Sequence, residues 1–218
     1  MDDAWHKYSR CPNCWSSVRH RLLLASFEYS RELNLPLSLS GKRILHFAPE
    51  RILSNTLDAI AYQYVTADFL RQDCDLKLDM CNMSSVDNDS YDVVIALDVL
   101  EHVPDFKQAL KELHRCLNPD GGIAILTVPQ VERLSDTFED STLTSAEQRC
   151  EFYGQWDHLR LFGEDFKENV AQLGFAVFEV SGASFNDIVS SRHMLFHPIP
   201  SSDKNATNNR RIYFCYKE

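Results

Sequence analysis

Three aspartates stand where predicted strands end, at the edge where open α/β sheets bind their ligands. Asp68 and Asp79 close two short apolar segments, and Asp98 follows a third. Asp68 stands about 20 residues after His46, the offset at which an acidic side chain meets a ribose diol in nucleotide-binding folds. A carboxylate can accept hydrogen bonds from both hydroxyls, so Asp68 is predicted to bind a ribose. The alternative is that Asp68 only caps the next segment of chain.

The turn after the first predicted strand, HFAPER at residues 46–51, contains no glycine. A pyrophosphate requires close approach of the backbone at a helix N-terminus, which glycine-rich turns provide. Here Pro49 lacks an amide donor, and Glu50 adds a negative charge. NAD, FAD and nucleoside triphosphates are therefore disfavoured, whereas a phosphate-free adenosine ligand with cationic groups, such as S-adenosylmethionine, is compatible. Glu50 has an alternative role as a first-turn residue favoured by the helix macrodipole.

Short apolar runs alternate with helical patterns along the chain, a rhythm typical of a parallel sheet covered by helices. The predicted strands cover residues 43–47, 64–68, 75–79, 91–97, 122–128, 175–180 and 211–217. The predicted helices cover residues 18–35, 106–117 and 163–174. Residues 130–155 are polar, acidic and too long for an ordinary connection, so they are predicted to form an insertion or lid. The chain then divides into an N-terminal helical cap with a Cys-x-x-Cys pair, residues 1–40, and one α/β domain, residues 41–218.

The composition limits the partners and the environment that we expect. The 218 residues carry a net charge of −10, and acidic residues are concentrated in the central region, which disfavours nucleic acid as a substrate. Basic residues near the start, HKYSR and RHR, are interpreted mainly as a solvated helix face, with contact to an anion as the alternative. No run of about 18 apolar residues and no signal-peptide core is present, so a soluble cytoplasmic protein without membrane contact is expected. Seven scattered cysteines favour reduced thiols over disulfides.

Several segments in order resemble the successive motifs of class I S-adenosylmethionine-dependent methyltransferases: ILHFAPE, YVTADF, LKLDMCNM, SYDVVIALDVLEHVPD and ALKELHRCLNPDGGIAILTVP. These motifs cover about residues 42–129, and DHLRLFGEDFKENVAQLGF is similar to a later segment of that family. The start, CPNCWSSVRHRLL before LHFAPE, resembles a subgroup with an N-terminal Cys-x-x-Cys. The resemblance implies a Rossmann-like, seven-stranded, mostly parallel sheet with helices on both faces, and transfer of a methyl group.

The resemblance also implies a set of cofactor-binding residues at the strand ends. The set comprises Phe47, Ala48, Pro49, Glu50, Asp68, Phe69, Asp79, Met80, Leu97 and Asp98. Residues 48–50 would line the methionine end mostly through the backbone, Asp68 and Phe69 would contact the ribose and adenine, residues 79–80 the adenine edge, and residues 97–98 the transfer site. Family members usually carry an acidic residue at the position of His46 and glycines at those of Ala48 and Glu50.

Two histidines are candidates for removing a proton from the methyl acceptor. Methyl transfer from a sulfonium needs alignment above all, and it needs a base only where the acceptor must lose a proton. His158 is the predicted catalytic residue, because it follows the insertion, where the family tends to place residues that bind the acceptor; a structural role is the alternative. For His102 the resemblance implies a place beside the cofactor. The nearby aromatics are expected either to form an apolar acceptor pocket or to anchor the insertion: Phe152, Tyr153, Trp156 and Phe162.

The pair CPNC, Cys11 and Cys14, has the spacing of half of a structural zinc site. His6 and His20 are possible further ligands, but their spacing matches no standard finger, so two reduced cysteines are favoured and no metal site is assigned.

A small-molecule methyltransferase is the leading hypothesis, and sugar hydroxyl, carboxylate, amine, thiol and peptide acceptors all remain open. A non-catalytic methyltransferase-like scaffold is the alternative, in which the altered turn marks a lost cofactor site. Retention of Asp68, Asp79 and Asp98 together favours the enzyme. A nucleotide-dependent oxidoreductase is disfavoured by the missing glycines.

Overall fold

A computed structural model describes residues 10–197, 199–202 and 205–218 of the chain. Seven strands form one sheet in the order β3-β2-β1-β4-β5-β7-β6, and β7 runs antiparallel to its neighbours β5 and β6. The strands are β1 (Arg43–Phe47), β2 (Gln63–Asp68), β3 (Leu76–Lys77), β4 (Val93–Leu97), β5 (Ile123–Thr127), β6 (Phe175–Ser181) and β7 (Arg211–Lys217). The Rossmann-like, mostly parallel sheet expected from the sequence is confirmed.

Helices cover both faces of this sheet because its central strands are apolar on both sides. The helices are α1 (Val18–Glu28), α2 (Arg51–Ile60), α3 (Phe106–Cys116), α4 (Ala146–Tyr153), α5 (Phe166–Ala171) and α6 (Asp187–His193). Side chains of α1, α2 and α6 share one core with Ile44 and Ile125 of the sheet. Side chains of α3 and α5 share the other core with Leu45 and Ala124, the alternate residues of the same strands.

The structure corrects several predicted boundaries. The helix predicted over residues 18–35 ends at Glu28, and the chain continues in turns in which Asn34 has a φ of 53°. The strand predicted over residues 75–79 is reduced to Leu76–Lys77. Asp75 instead accepts hydrogen bonds through its carboxylate from the backbone N–H of Thr66, at 2.8 Å, and from the hydroxyl of Thr66. Helix α6 was not predicted from the sequence.

Residues 130–155 pack against the domain through their own small cluster, in which Val131, Tyr153 and Leu161 are buried. Arg160 is fully buried and fastens this segment, because its guanidinium donates to the carbonyl oxygens of Leu100 and Val103 and pairs with Glu139 at 3.0 Å. Among the described residues, no helix has both the length and the apolar character that a bilayer span requires.

Candidate active site

The turn between β1 and α2 forms without glycine by placing Ala48 in the left-handed region, with a φ of 46°. Side chains other than glycine seldom adopt this conformation, because Cβ crowds the backbone. The backbone N–H of Ala48 donates to the carbonyl oxygen of Ala67 at 2.9 Å, which holds the turn against β2. Glu50 is the N-cap residue of α2, but its carboxylate does not cap the helix. The acidic side chain at this turn is therefore free to point into the site.

Glu50 meets two basic side chains of α1. Its carboxylate forms an ion pair with Arg19, and its Oε1 lies 2.7 Å from Nε2 of His20. Burial alone would raise the pKa of Glu50, but the hydrogen bond from His20 and the charge of Arg19 outweigh it, so the pKa is lowered. Arg19 belongs to the basic cluster that was interpreted mainly as a solvated helix face, and that interpretation is wrong for Arg19 and His20.

Asp98 lies at the end of β4 between two guanidinium groups. Arg19 Nη1 lies 3.1 Å from Asp98 Oδ2, and Arg210, at the start of β7, pairs with Oδ1. The hydroxyl of Thr127 donates to Oδ1 at 2.7 Å. Burial raises the pKa of Asp98, but the charges of Arg210 and Arg19 and the hydrogen bonds outweigh it and hold the pKa well below its usual range. Asp98 is therefore a carboxylate anion, mostly buried with 19% of its side chain exposed, that ties α1, β4, β5 and β7 together.

Asp68 caps the turn that follows β2, which was the alternative interpretation of this residue. It uses only one of its two carboxylate oxygens. Its Oδ1 accepts hydrogen bonds from the backbone N–H groups of Leu70, at 2.8 Å, and Arg71, at 2.9 Å. The side chain of Arg71 reaches back to the carbonyl oxygen of Pro49 at 2.9 Å, joining the ends of β1 and β2. Phe69 is 59% exposed beside this turn. Capping and ligand binding by Asp68 are thus compatible.

The other expected cofactor residues lie at the same edge, but several are turned into the core. The side chains of Phe47, Met80 and Leu97 are buried, so only their backbone borders the edge. Asp79 Oδ1 accepts a hydrogen bond from the backbone N–H of Cys81 at 2.8 Å.

The two candidate histidines lie together, with ring centroids 4.8 Å apart. Burial, and next the charge of His102, lower the pKa of His158 to about 4. His102 Nδ1 lies 3.3 Å from Asp157 Oδ2. Glu101, which was not among the candidate residues, is 1% exposed beside them, and burial together with the charge of Asp98 raises its pKa well above the usual value. The structure thus brings both histidines to the edge of the sheet that carries Asp98.

The aromatic residues near His158 do not form a common pocket. Phe162 is buried in the core against Phe106, and Tyr153 is buried with its hydroxyl oxygen accepting a hydrogen bond from the backbone N–H of Asp140. Trp156 is 61% exposed and Phe152 is also exposed. For Phe162 and Tyr153 the anchoring role is therefore the correct alternative.

In the described contacts, His20 does not pair with Cys11 or Cys14, the cysteines with which it was considered as a possible zinc ligand. Nδ1 of His20 accepts from the backbone N–H of Ser17 at 3.1 Å, and its Nε2 faces Glu50. Cys14 instead contacts Ser16, with Sγ 3.2 Å from its hydroxyl oxygen. His6 lies outside the described residues.

Buried polar atoms without a hydrogen-bond partner are concentrated at this edge. Within the described part of the chain, they include Arg19 Nε, His46 Nε2, Glu50 Oε2, Glu101 Oε2 and His158 Nδ1. Leaving a polar atom buried and unpaired costs roughly 1–3 kcal/mol, so such atoms rarely collect at one place unless a ligand satisfies them. These atoms are available to form hydrogen bonds with a polar ligand.

The family model described as "Methyltransferase domain" matches residues 27–180, which is most of the chain. The chain belongs to the methyltransferase domain family. This membership confirms the expected enzyme class. A search of curated protein sequences found no match.

Solved methyltransferase structures share the fold of this methyltransferase domain. An S-adenosylmethionine-dependent methyltransferase from Mesorhizobium loti is 14% identical, with a TM-score of 0.55 and coverage of 88% of this chain and 98% of that one. A Burkholderia thailandensis 1,6-didemethyltoxoflavin N1-methyltransferase, with 1,6-didemethyltoxoflavin and S-adenosylhomocysteine bound, is 12% identical, with a TM-score of 0.54 and coverage of 92% and 87%. A Haemonchus contortus phosphoethanolamine N-methyltransferase, with phosphomonomethylethanolamine and S-adenosylhomocysteine, is 14% identical, with a TM-score of 0.54 and coverage of 92% and 53%.

His46, at the position where the family usually carries an acid, gives a prediction on stability. Burial lowers its pKa from 6.5 to about 4, Glu50 and His20 contribute opposing charges, and the Tyr64 hydroxyl lies 2.8 Å from Nδ1. The unfolded chain therefore binds a proton at higher pH than the folded protein does. We expect the free energy of unfolding to fall as the pH drops from 6.5 to 4, by up to about 3 kcal/mol from this group.

Urea unfolding at several pH values tests this expectation, with His46→Asn as the comparison. The variant should lose the share of the pH dependence that comes from His46, whatever its stability at pH 7, and should keep the share that comes from His158, whose pKa burial also lowers to about 4. An equally steep loss in His46→Asn would assign the dependence to other groups.

Proposed function

We propose that this protein transfers a methyl group from S-adenosylmethionine to a small-molecule acceptor. The observation that carries the proposal is the edge formed by β1, β2 and β4, where carboxylates and unpaired buried polar atoms face one another. S-adenosylmethionine carries an ammonium group, a sulfonium, a carboxylate and a ribose diol, and it has no phosphate. Glu50 and Asp98 offer negative charge to its cationic end, and Arg19 offers a partner to its carboxylate. The residues present fit this cofactor.

The ten residues expected at the cofactor site keep their roles in this proposal. Ala48, Pro49 and Glu50 lie at the methionine end, and Asp68 takes the ribose with the carboxylate oxygen that does not cap the turn. Exposed Phe69 covers the adenine, and Asp79 borders its edge. The backbone of the remaining members completes the walls: Phe47, Met80 and Leu97. Asp98 lies between the cofactor and the acceptor.

His158 is proposed as the residue that removes the acceptor's proton where the acceptor is a hydroxyl. Its imidazole is neutral at pH 7, as a base must be, because burial lowers its pKa. The neighbouring His102, held by Asp157, supports its position. Transfer then proceeds in line: the acceptor oxygen forms a bond to the methyl carbon, and the electron pair of the breaking C–S bond remains on sulfur.

A small acceptor is favoured by a cavity at the ends of β6 and β7 and at α6. A cavity of about 620 Å³ adjoins Arg210, the partner of Asp98, and Phe185, Phe196 and Asn209 contribute to its lining. This volume suits a small or medium-sized organic molecule. Two of the neighbours named above hold small molecules besides S-adenosylhomocysteine, namely 1,6-didemethyltoxoflavin and phosphomonomethylethanolamine.

We assign two segments supporting roles around this site. Residues 1–40 act as an N-terminal cap, because Arg19 and His20 of α1 contact Glu50 in the site. Residues 130–155 act as an insertion that anchors the loop carrying His158 through the pairing of Arg160 with Glu139. The CPNC and LHFAPE segments support assignment of the chain to a subgroup with an N-terminal Cys-x-x-Cys.

Calorimetric titration with S-adenosylmethionine and S-adenosylhomocysteine tests the proposal, with NAD as the control ligand. Micromolar binding of the first two and no binding of NAD would support it. If the folded protein binds neither, the non-catalytic scaffold becomes the better description.

Asp68→Asn separates the two roles of Asp68 in the same titration. The amide oxygen still caps the turn, whereas the charge that strengthens hydrogen bonds to the ribose is lost. We expect an unchanged melting temperature and binding weakened about tenfold, equivalent to about 1.4 kcal/mol. Asp73→Asn is the matched control, because Asp73 pairs only with exposed Arg71 in the described contacts. Unchanged affinity in Asp68→Asn would remove Asp68 from the cofactor site.

A further inference from the structure

Three potential metal ligands converge at the acceptor side of the edge. Glu101 and His102 lie in the loop after β4, and His158 lies in the loop after α4. One ligand atom from each side chain lies within 4.8 Å of the other two. Two imidazoles and one carboxylate form a donor set that first-row transition metals prefer.

Two of these side chains have buried atoms that lack a hydrogen-bond partner. Glu101 is 1% exposed, and its Oε2 contacts no donor among the described residues. Nδ1 of His158 is likewise buried and unpaired. A buried carboxyl group without a partner is costly, and binding of an ion would satisfy both atoms at once.

The third side chain is oriented as metal-binding histidines usually are. His102 Nδ1 lies 3.3 Å from Asp157 Oδ2, so the Nδ1–H group can donate a hydrogen bond to the carboxylate of Asp157. That bond leaves the lone pair on Nε2, which lies 4.0 Å from Glu101 Oε1. A carboxylate that holds the far nitrogen of a ligating histidine fixes the tautomer and raises the basicity of the ligand.

We propose that Glu101, His102 and His158 bind a divalent transition metal ion, with Zn²⁺ as the fitting probe. Bond lengths of about 2.0–2.1 Å require ligand atoms roughly 3.3 Å apart, so small side-chain rotations must draw the three together. Mg²⁺ and Ca²⁺ are disfavoured because they prefer oxygen ligands. Nearby Asp98 carries a negative charge that offsets one of its two arginine partners.

Three protein ligands leave a coordination position open for the acceptor, and this part of the inference rests on the proposed function. A hydroxyl bound to the ion loses its proton to water more readily, and the resulting alkoxide attacks the methyl carbon. The C–S electron pair remains on sulfur, as before. His158 would then act through the ion rather than accept the proton itself. This site would overturn the sequence-based expectation of no metal.

Calorimetric titration of the metal-free protein with Zn²⁺ and with Mg²⁺ tests the site, using a Cys11→Ser/Cys14→Ser background to remove competing thiolates. We expect one Zn²⁺ per chain and no Mg²⁺. Glu101→Gln and His158→Gln should each weaken Zn²⁺ binding at least about tenfold. Asp157→Asn, a change at a partly exposed residue that leaves the three ligands in place, should weaken it about 10- to 100-fold.

The control variant is His114→Gln, because His114 lies on α3 with Nε2 3.1 Å from the carbonyl oxygen of Gly174, away from these ligands. It should bind Zn²⁺ as the parent does. Equal binding by all variants, or no binding by the parent, would overturn the metal site. The parent and each variant are also titrated with S-adenosylhomocysteine. If the parent binds S-adenosylhomocysteine but not Zn²⁺, this inference alone is refuted. If the parent does not bind S-adenosylhomocysteine, the proposed function is refuted.

Discussion

Replacing Asp98 with asparagine is expected to lower the free energy of unfolding by about 3–5 kcal/mol, the range seen when one partner of a buried ion pair is removed. The variant would leave the guanidinium groups of Arg19 and Arg210 facing a neutral amide in a largely desolvated position. Thr127 would keep a hydrogen-bond acceptor in the asparagine oxygen, so the lost charge is the main change. Urea unfolding measures the difference.

Glu164→Gln provides the matched control for Asp98→Asn. Glu164 also pairs with an arginine, Arg211, but its side chain is 43% exposed. Water screens this pair, so its loss should cost less than about 1 kcal/mol. A loss in Asp98→Asn as small as that in Glu164→Gln would show that Asp98 does not hold the site together.

His158→Ala is expected to lower turnover about 100-fold with a hydroxyl acceptor, because the variant removes the group that deprotonates it, directly or through an ion. Cofactor affinity should stay unchanged, since His158 belongs to the acceptor side of the site. Single-turnover kinetics with the acceptor found by screening measures the rate of transfer. His114→Ala removes a histidine of α3 that contacts the carbonyl oxygen of Gly174, away from His158, and should leave turnover unchanged. Turnover of His158→Ala near that of the parent would leave His158 with a structural role.

An acceptor that needs no deprotonation distinguishes loss of a base from misplacement of the substrate. A thiolate should be methylated at nearly the same rate by His158→Ala and by the parent protein. Equal losses with hydroxyl and thiolate acceptors would instead point to misplaced substrates, not to a missing base.

The strands were predicted well because their signals are local. The apolar run of β1 and the run of β7 were located at their observed bounds, since unbroken apolar residues between turn signals define a buried strand. Strand β3 was overestimated, because its outer residues are held by side-chain hydrogen bonds such as that of Asp75 with Thr66, which hydrophobicity does not reveal. Helix α6 has seven residues, too few to show a clear periodicity.

The candidate site was predicted in part, and its omissions have a common cause. Residues at strand ends can be placed from topology, and this placed Glu50, Asp68 and Asp98 at one edge. The arginines could not be placed in this way, because Arg210 stands 112 positions from Asp98 and its partner depends on the complete sheet. Glu101 was missed although it follows Asp98 closely, since an acidic residue near a strand end gives no sign in the sequence that it will be buried.

The position of β7 has a consequence for synthesis of the chain on the ribosome. β7 follows β5 and β6 in the sequence, yet it lies between them in the sheet, and Arg210 immediately precedes it. Until residues 210–217 emerge, β5 has an unpaired edge, β6 has no neighbour, and Asp98 lacks one of its two cations. The nascent protein therefore passes through a stage with an unpaired strand edge and an incomplete ion-pair cluster at Asp98, and residues 210–217 complete both.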